Sequence, residues 1–358
     1  MAATYEASIV AVSPQASGPP TFVEISGAKP TALTIVDELG APGGCTLSTV
    51  VNDLEAIAKA RLATYTTPTP QPCELWVRRG GTSIIFAGPV TGYTIQGRTI
   101  TLTAPGLLKY LEYWLRDTDY SANGVDQATI VQQLADQWQA LTYAHDGIVT
   151  TGLTATGVQR VLNLSGRDGK FIMPVIQEMG VRSNGFDLTV DPNTRALTMW
   201  SPRKGTDRTT GPSAVILDAR SIGEPNLSVT VAPGSIGSEV LATSSSTQGV
   251  TLTSIKSNTV LRASFGRSYI TRQFQDISEQ ATLDDHAQRA VDDNATGVIS
   301  AAPSLLPVPG FAYGDFATGD LILYDYDAGL GRQTFTPRVR AIEVSTDSGR
   351  EMLKVGIV

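Results

Sequence analysis

Two histidines and one serine–lysine pair are the residues whose types first suggest catalysis. His145 and His286 lie far apart in the sequence, and neither belongs to an H-x-x-x-H or H-E-x-x-H metal motif. Ser201 and Lys204 have the S-x-x-K spacing of some acyl-transfer enzymes. That chemistry needs its serine at a helix start in a pocket, whereas Ser201 follows a predicted hairpin in a polar loop. We interpret the histidines as surface or helix-end residues, with His286 solvated, and the serine–lysine spacing as a coincidence.

Acidic residues offer two further candidates, a cation loop and a carboxylate pair. Residues 325–329 read Asp-Tyr-Asp-Ala-Gly and resemble part of a calcium loop, but the third acidic position and the closing glutamate are missing. A turn rich in aspartate and glycine is the better interpretation. Asp284-Asp285 and Asp292-Asp293 lie on similar sides of one predicted helix. Because catalytic carboxylates normally come from separate elements that flank a cleft, we predict a solvated helix face here.

Cysteine and glycine patterns indicate neither a metal site nor a nucleotide site. Cys45 and Cys73 are the only cysteines and form no C-x-x-C pair. Free buried thiols in a reducing compartment are the favoured interpretation, and a single disulfide between them stays open. The sequence contains no G-x-G-x-x-G, G-x-x-x-x-G-K or G-x-S-x-G motif. We therefore predict no catalytic, cofactor-binding or metal-binding residues, and no enzymatic activity.

The four tryptophans decide between a structural protein and a sugar-binding one. Trp76, Trp114, Trp138 and Trp200 lie on predicted strand or helix faces, where core packing explains them without a ligand. Sugar sites use exposed aromatic rings, so exposure of Trp76 or Trp200 would favour a carbohydrate-binding or receptor-binding module instead.

Composition and charge narrow the class of protein. The chain has 358 residues, 41% hydrophobic and only 17% charged, with 34 glycines and 20 prolines. This mix favours strands joined by tight turns, and the length predicts two or three domains. A net charge of −7 without any Lys/Arg-rich run argues against stable nucleic-acid binding, although DNA could pass by without sticking. We expect no membrane span and no signal peptide, because the apolar stretches are too short and the N-terminus lacks the signal pattern.

The elements that must position these residues are strands on both sides of a helical middle. Alternating apolar residues and Gly-containing turns predict an antiparallel meander over 74–104. Amphipathic patterns predict helices after Gly106, over 126–141 and near 170–179, with one more near 282–291. An α/β insert between two β-barrel-like parts explains this distribution, whereas a continuous β/α alternation does not.

Three stretches of sequence carry a family resemblance through their order and spacing. The first stretch contains Glu74-Leu-Trp-Val-Arg-Arg-Gly-Gly, Ile85-Phe-Ala-Gly and Thr99-Ile-Thr-Leu-Thr-Ala-Pro-Gly-Leu-Leu-Lys-Tyr-Leu. The second contains Asp168-Gly-Lys-Phe, Gly185-Phe-Asp-Leu-Thr-Val-Asp-Pro and the strand into Trp200. The third contains Gly314-Asp-Phe or Gly319-Asp-Leu, followed by Arg338-Val-Arg-Ala-Ile-Glu-Val and Gly349-Arg-Glu-Met-Leu-Lys-Val. Together, from about residue 30 to 358, they resemble the baseplate hub and minor tail proteins at the tail tip of long-tailed, siphovirus-type bacteriophages.

The resemblance implies an α+β, mainly β fold with two tail-tube-like β-barrels and an inserted small α/β domain. Residues 1–30 are expected to form an N-terminal arm. Residues 31–105 would form the first tube-type barrel, completed by strands from about 213–245. Residues 106–212 would form the insert, and residues 246–358 the second barrel with one helix.

The same resemblance implies a structural function in the virion. Three copies would form a ring that ends the tail tube, organises tip proteins and fibres, and lets DNA pass during ejection. The implied partners are other copies of the chain, the distal tail ring protein, the tape-measure protein and tail fibre or tip proteins, with assembly in the host bacterial cytoplasm. Two alternatives stay open, a ring-forming distal tail protein and a receptor- or carbohydrate-binding tail module.

Overall fold

The structure is a computed structural model, and its described part is mainly β with five α-helices. The described residues are 4–81, 83–144, 146–182, 184–218, 230–232, 236–245, 251–275, 277, 279–294, 298–300, 303–305, 311–327, 332–347 and 350–357. The α-helices are Ala56–Ala63 (α1), Gln127–Gln139 (α2), Ile172–Gly180 (α3), Thr259–Phe265 (α4) and Gln280–Asp293 (α5). The 3-10 turns are Val51–Asp53, Thr64–Thr66, Leu107–Tyr113 and Gly166–Asp168.

A four-stranded antiparallel sheet, the first sheet, contains two strands from residues 1–30, which were predicted to form an arm. Its strands lie in the order Thr21–Ala28, Tyr5–Ser13, Cys73–Arg79 and Ser83–Pro89. The prediction of an arm at residues 1–30 is therefore wrong. Residues 7–12 are all buried in the middle of the sheet, and a strand covered on both faces lacks the alternation that marks a half-exposed strand.

A seven-stranded sheet, the large sheet, joins the two ends of the chain. Its strands lie in the order Ser304–Leu305, Arg350–Ile357, Val339–Asp347, Ala32–Glu38, Gly44–Val50, Thr99–Ala104 and Gly92–Gln96. We predicted that strands from about 213–245 would complete the first β unit. In the described structure, the strand Val339–Asp347 pairs with it instead, and Arg350–Ile357 extends the sheet from there. Pairing between strands so distant in sequence cannot be inferred from local periodicity, which specifies a strand but not its neighbour.

The first and large sheets share one hydrophobic core. Ile9 and Leu75 from the first sheet meet Leu47 and Leu102 from the large sheet, and Leu62 of α1 covers one side. Burial of each such side chain contributes about 1.5–3 kcal/mol. The predicted α+β, mainly β class is confirmed, whereas none of the sheets formed by the described strands closes into a barrel.

The middle of the chain has a separate core. Ile130 and Leu134 of α2 and Ile176 and Met179 of α3 pack with Trp114 in this core. All five residues are less than 2% exposed. Three short antiparallel ribbons complete this region, and they pair Leu115–Arg116 with Lys170–Phe171, Tyr120–Asp126 with Gln159–Leu164, and Asp187–Val190 with Leu197–Trp200. Such an independent core is what the predicted insert at 106–212 would need.

Helix α2 begins at a carboxylate cap that makes a pH-dependent prediction. Asp126 Oδ1 accepts from the amide of Ala128 at 2.9 Å, and Oδ2 accepts from the amides of Thr156 and Gly157 at 2.9 and 2.7 Å. Partial burial opposes ionisation, but these hydrogen bonds lower the pKa of the Asp126 carboxyl below its usual value. Asp126→Ala should reduce the free energy of unfolding by about 1–2 kcal/mol at neutral pH.

The sign of the pH effect follows from the lowered pKa. The stabilisation by Asp126 is fully present above the unfolded pKa of about 3.9 and is lost as pH falls through the folded value. Urea unfolding at pH 7 and near pH 2.5 should therefore show a difference between wild type and Asp126→Ala that shrinks in acid. Asp126→Asn keeps an oxygen acceptor and serves as the control. A difference that grows in acid would contradict this role.

In the described part of the chain, a three-stranded sheet, the C-terminal sheet, has one face covered by α5 and the other largely exposed. Its strands lie in the order Thr251–Ser257, Glu239–Ser245 and Tyr269–Gln275. Val240 and Ala242 are fully buried on the face that α5 covers, and Ala242 packs with Leu283 and Ala287. Helix α4 links two strands of this sheet and contributes no buried residue.

The remaining described strands build small sheets beside the large one. Ile216–Leu217 pairs with Leu323–Asp327, which pairs with Arg332–Phe335, and Thr230–Ala232 pairs with Val298–Ser300. Leu217, Ile322 and Tyr324 pack there against the Val339–Asp347 strand. No helix in the described residues is long and apolar enough to cross a membrane.

Candidate functional site

The residues first considered for catalysis are not brought together. Ser201 is exposed and its hydroxyl lies 3.5 Å from the carbonyl oxygen of Gly185, whereas Lys204 Nζ donates to Thr318 Oγ1 at 2.9 Å. His145 and part of the 325–329 turn lie outside the described residues. The part of the chain that is described contains no group of three or more His, Cys, Asp or Glu placed to hold a metal ion.

Both cysteines are free and buried. Burial raises the pKa of the Cys45 thiol far above its usual value. Burial also raises the pKa of Cys73, although Tyr65 and Arg61 oppose that shift. Neither thiol is therefore available as a thiolate nucleophile at neutral pH.

His286 is buried, so the prediction that it is solvated is wrong. Its side chain is 2% exposed, its ring lies 4.6 Å from that of Phe274, and Nε2 lies 3.6 Å from Glu178 Oε1 on α3. Burial alone would raise the pKa of the Glu178 carboxyl, but His286 and Arg182 together lower it. His286 thus belongs to the contact between α3 and α5.

The acidic pairs beside His286 are only partly solvated. Asp285 Oδ2 lies 3.2 Å from Arg160, whose side chain is 6% exposed, and Asp284 Oδ1 accepts from Ser254 at 2.6 Å. Asp292 and Asp293 are exposed, as predicted. The first pair therefore joins α5 to its neighbours rather than facing only water.

A buried ion pair joins the first sheet to the middle of the chain. Glu74, with no exposed surface, accepts from Arg195 at 2.9 and 3.1 Å, from Tyr110 Oη at 2.6 Å and from Trp76 Nε1 at 2.7 Å. Burial and then the Glu74 carboxylate raise the pKa of Tyr110 well above its usual value, which keeps the phenol protonated as a donor. Both carboxylate oxygens are therefore satisfied by bonds that reach across two cores.

The guanidinium of Arg195 extends this network. It donates to the carbonyl oxygens of Gly147 and Asp146 at 3.2 and 3.0 Å and lies 4.3 Å from the centre of the Phe22 ring. The carboxylate of Asp146 in turn accepts from Trp114 Nε1 at 2.6 Å. Sequence reasoning missed this network because Glu74 and Arg195 are 121 residues apart. The available signal was one acidic residue among the apolar residues that begin the Cys73–Arg79 strand.

A second junction ties the first sheet to the large sheet. Glu351, 8% exposed, accepts from Tyr5 Oη at 2.8 Å and from Arg79 at 3.2 Å. Arg79 also donates to the carbonyl oxygen of Tyr313 at 3.1 Å. Burial, followed by the nearby carboxylate of Asp37, raises the pKa of Tyr313 to about 12.

A third junction ties the middle of the chain to residues 318–340. Asp320 is 3% exposed and accepts from Arg208 Nε at 2.7 Å and from the Thr206 amide at 2.8 Å. Beside it, Gly205 and Gly319 approach so closely that a Cβ on Gly205 would lie 2.0 Å from the Gly319 oxygen. The three junctions together join the first sheet, the large sheet, the middle of the chain and residues 318–340.

The side of the C-terminal sheet opposite α5, here called the open face, is nearly free of charge at its described positions. Side chains alternate between the two faces of a strand, and residues 240, 242 and 244 are buried on the side of α5. The open face therefore carries Leu241, Thr243, Thr253, Ile255, Tyr269, Thr271 and Gln273. Glu239 at its edge is buried and pairs with two solvent-accessible arginines, Arg262 at 3.3 Å and Arg267 at 2.8 Å. This is a neutral, hydroxyl-rich surface on a protein of net charge −7.

Trp200 is exposed, contrary to the prediction that core packing explains all four tryptophans. Its side chain is 41% exposed and its Nε1 donates to Thr189 Oγ1 at 2.9 Å. The ribbon that carries it has its apolar positions on the opposite face. Trp200 lines a cleft of about 430 Å³ together with Asp37, Glu38 and Asp191. The other three tryptophans are buried or half-buried.

Comparison with known proteins relates the whole chain to phage tail proteins by fold. The 43 kDa tail protein of prophage MuSo2 from Shewanella oneidensis has a TM-score of 0.59 at 12% identity, covering 98% of this chain and 96% of that one. The tail protein from Neisseria meningitidis MC58 has a TM-score of 0.57 at 12% identity, covering 99% and 96%. Prophage tail protein gp18 from Listeria monocytogenes EGD-e has a TM-score of 0.57 at 9% identity, covering 98% and 94%. No family model and no curated protein matches the sequence. The likeness in fold to tail proteins, expected from three sequence stretches, is thus confirmed over the entire chain.

Proposed function

We propose that this protein is the structural hub of a bacteriophage tail tip. Three copies form a closed ring that ends the tail tube, organises tip proteins and fibres, and lets DNA pass during ejection. The whole-chain likeness to phage tail proteins carries this proposal. The three buried junctions support it further, because a hub under load must transmit force between its parts without their separating.

Ring closure is supported by the edges of the C-terminal sheet. Thr251–Ser257 and Tyr269–Gln275 each pair with only one described strand, and such edges invite uncontrolled association unless a neighbour covers them. A head-to-tail contact that closes into a ring covers every copy equally. Native mass spectrometry of the purified protein should give a trimer. A hexamer would favour the alternative, a distal tail ring protein, and a monomer in the assembled particle would overturn the ring.

The open face supports the passage of DNA through the ring. A channel lining must not hold phosphates, since each Lys or Arg contact adds salt-dependent affinity. We assign the open face to the lumen because its described strand positions carry no lysine or arginine. DNA then passes without specific binding.

Adding charge to the open face should slow DNA release. Thr253→Lys with Thr271→Lys places two ammonium groups on the proposed lining, and release from purified particles should become slower and more salt-dependent. Ala281→Lys with Gln288→Lys adds the same charge on α5, on the covered side of the sheet, and should leave release unchanged. Equal rates of DNA release from the two doubly substituted particles would show that the open face does not line the lumen.

The remaining parts of the proposal concern location, partners and chemistry. The protein is assembled in the host bacterial cytoplasm and resides in the virion at the tail tip. Its partners are other copies of itself, the distal tail ring protein, the tape-measure protein and fibre or tip proteins. We assign it no enzymatic activity and no cofactor, and we assign residues 106–212 to an α/β insert between two β-rich parts that share the large sheet.

Exposure of Trp200 favours a second candidate function, saccharide binding at the tail tip. Its indole N–H is already bonded to Thr189, so the ring offers an apolar face beside carboxylates that can accept from sugar hydroxyls. Trp200→Ala should then abolish binding of the purified protein to host cell-wall polysaccharide and leave its melting temperature nearly unchanged. Identical polysaccharide binding by Trp200→Ala and wild type would remove this candidate.

A further inference from the structure

A second cleft lies where α3, α5, the turn at Leu39–Gly40 and the large sheet meet. Its volume of about 530 Å³ falls within the roughly 300–1,000 Å³ typical of ligand sites. Its apolar wall is formed by Val181, which is 56% exposed, together with the edges of Phe186 and Leu188, which are 6% and 4% exposed.

One arginine at this cleft is fully engaged within the fold. Arg338 pairs with Asp187 and also donates to the carbonyl oxygens of Lys204 at 2.7 Å and Gly319 at 3.0 Å. Its charge is compensated, so Arg338 serves the third junction rather than a ligand.

Three other arginines line the cleft, and only two of them pair with a carboxylate, which they share. Arg289 Nε lies 2.9 Å from Asp293 Oδ2, and Arg203 lies 3.7 Å from Asp293 Oδ1. Arg340 is exposed, and no described carboxylate lies within ion-pair distance of its side chain. The cleft therefore holds an excess of positive charge in a protein whose net charge is −7.

We infer that this cleft binds an acidic peptide segment with apolar side chains, supplied by another tail-tip protein; this rests on the proposed function, which places such proteins beside the hub. Guanidinium groups bind carboxylates with paired, charge-assisted hydrogen bonds. The wall beneath them accepts apolar side chains, which an inorganic anion or a nucleic-acid backbone would leave unmatched. A segment held there contacts α3, α5 and the large sheet at once, and so recognises the assembled fold.

The test measures binding of a fluorescently labelled peptide that alternates glutamate and leucine. Arg289→Gln with Arg340→Gln should weaken its binding by about tenfold for each guanidinium removed. Arg98→Gln with Arg167→Gln removes the same charge from exposed positions elsewhere and should bind like wild type. A peptide with glutamine in place of glutamate should bind weakly to all forms of the protein.

The outcomes separate this inference from the proposed function. Equal peptide affinity in the two double variants would overturn it, and so would full competition by millimolar inorganic phosphate, which would indicate a site for any anion. Native mass spectrometry on the same samples reports the ring independently. A trimer in which Arg289→Gln with Arg340→Gln leaves the peptide affinity unchanged would support the hub and contradict the peptide site. Selective peptide binding by a protein that never assembles would support the peptide site and contradict the hub.

Discussion

Replacing Glu74 by alanine should destabilise the protein more than any other single carboxylate substitution described above. The change leaves the Arg195 guanidinium, whose side chain is 10% exposed, without its counter-charge and leaves Tyr110 and Trp76 without their acceptor. Breaking a buried ion pair by removing one partner costs about 3–5 kcal/mol. The midpoint of the first urea transition, followed by tryptophan fluorescence, should fall accordingly.

The control for this prediction is a surface pair on the same sheet. Arg78 lies 2.5 Å from Glu24, and the Glu24 side chain is 46% exposed. Glu24→Ala makes the same change of charge but should cost less than about 1 kcal/mol, because solvent screens an exposed pair. If the two variants shift the urea midpoint equally, the network around Glu74 does not hold the parts together.

Replacing Gly205 by alanine should have the second largest effect. Gly205 has φ +109° and a new Cβ would lie 2.0 Å from the Gly319 backbone oxygen, which no side-chain rotation can relieve. Backbone strain and the clash together should cost more than about 3 kcal/mol and open the third junction. Thermal unfolding and the yield of folded protein would both report this loss.

Gly211→Ala isolates the contribution of the clash. Gly211 also has a positive φ, +83°, but nothing lies within 4 Å of the position of its Cβ. The left-handed conformation alone costs an alanine about 1–2 kcal/mol. A Gly205→Ala variant no less stable than Gly211→Ala would show that the two backbones do not approach as described.

Elements with a strong local signal were predictable from sequence. Helix α2 was expected at 126–141 and spans Gln127–Gln139, because its apolar residues recur at helical spacing and Asp126 caps it. Helix α4 was missed, since none of its seven residues is buried and a helix without an apolar face shows no periodicity. Tyr5–Ser13 was missed for the opposite reason, because both of its faces are covered.

Residues of the candidate sites were harder to predict than the elements that carry them. His286 lies three residues after Leu283 and one before Ala287, on the apolar side of α5, so its helical position alone indicated burial. The partners of Glu74 come from segments far apart in sequence, and so do Arg203, Arg289 and Arg340 of the second cleft. Only the folded chain brings those charges together, and no local pattern records their pairing.

The seam between Ala32–Glu38 and Val339–Asp347 also governs how the protein is made. These strands are separated by roughly 300 residues, and ordering such a long intervening chain is slow. At about 5–20 residues per second, the ribosome needs roughly 15 to 60 seconds to deliver the second strand after the first. During that interval the nascent chain carries a strand edge without its native neighbour. We therefore expect a requirement for chaperones during synthesis, and a delay that keeps half-made chains from joining the growing tail.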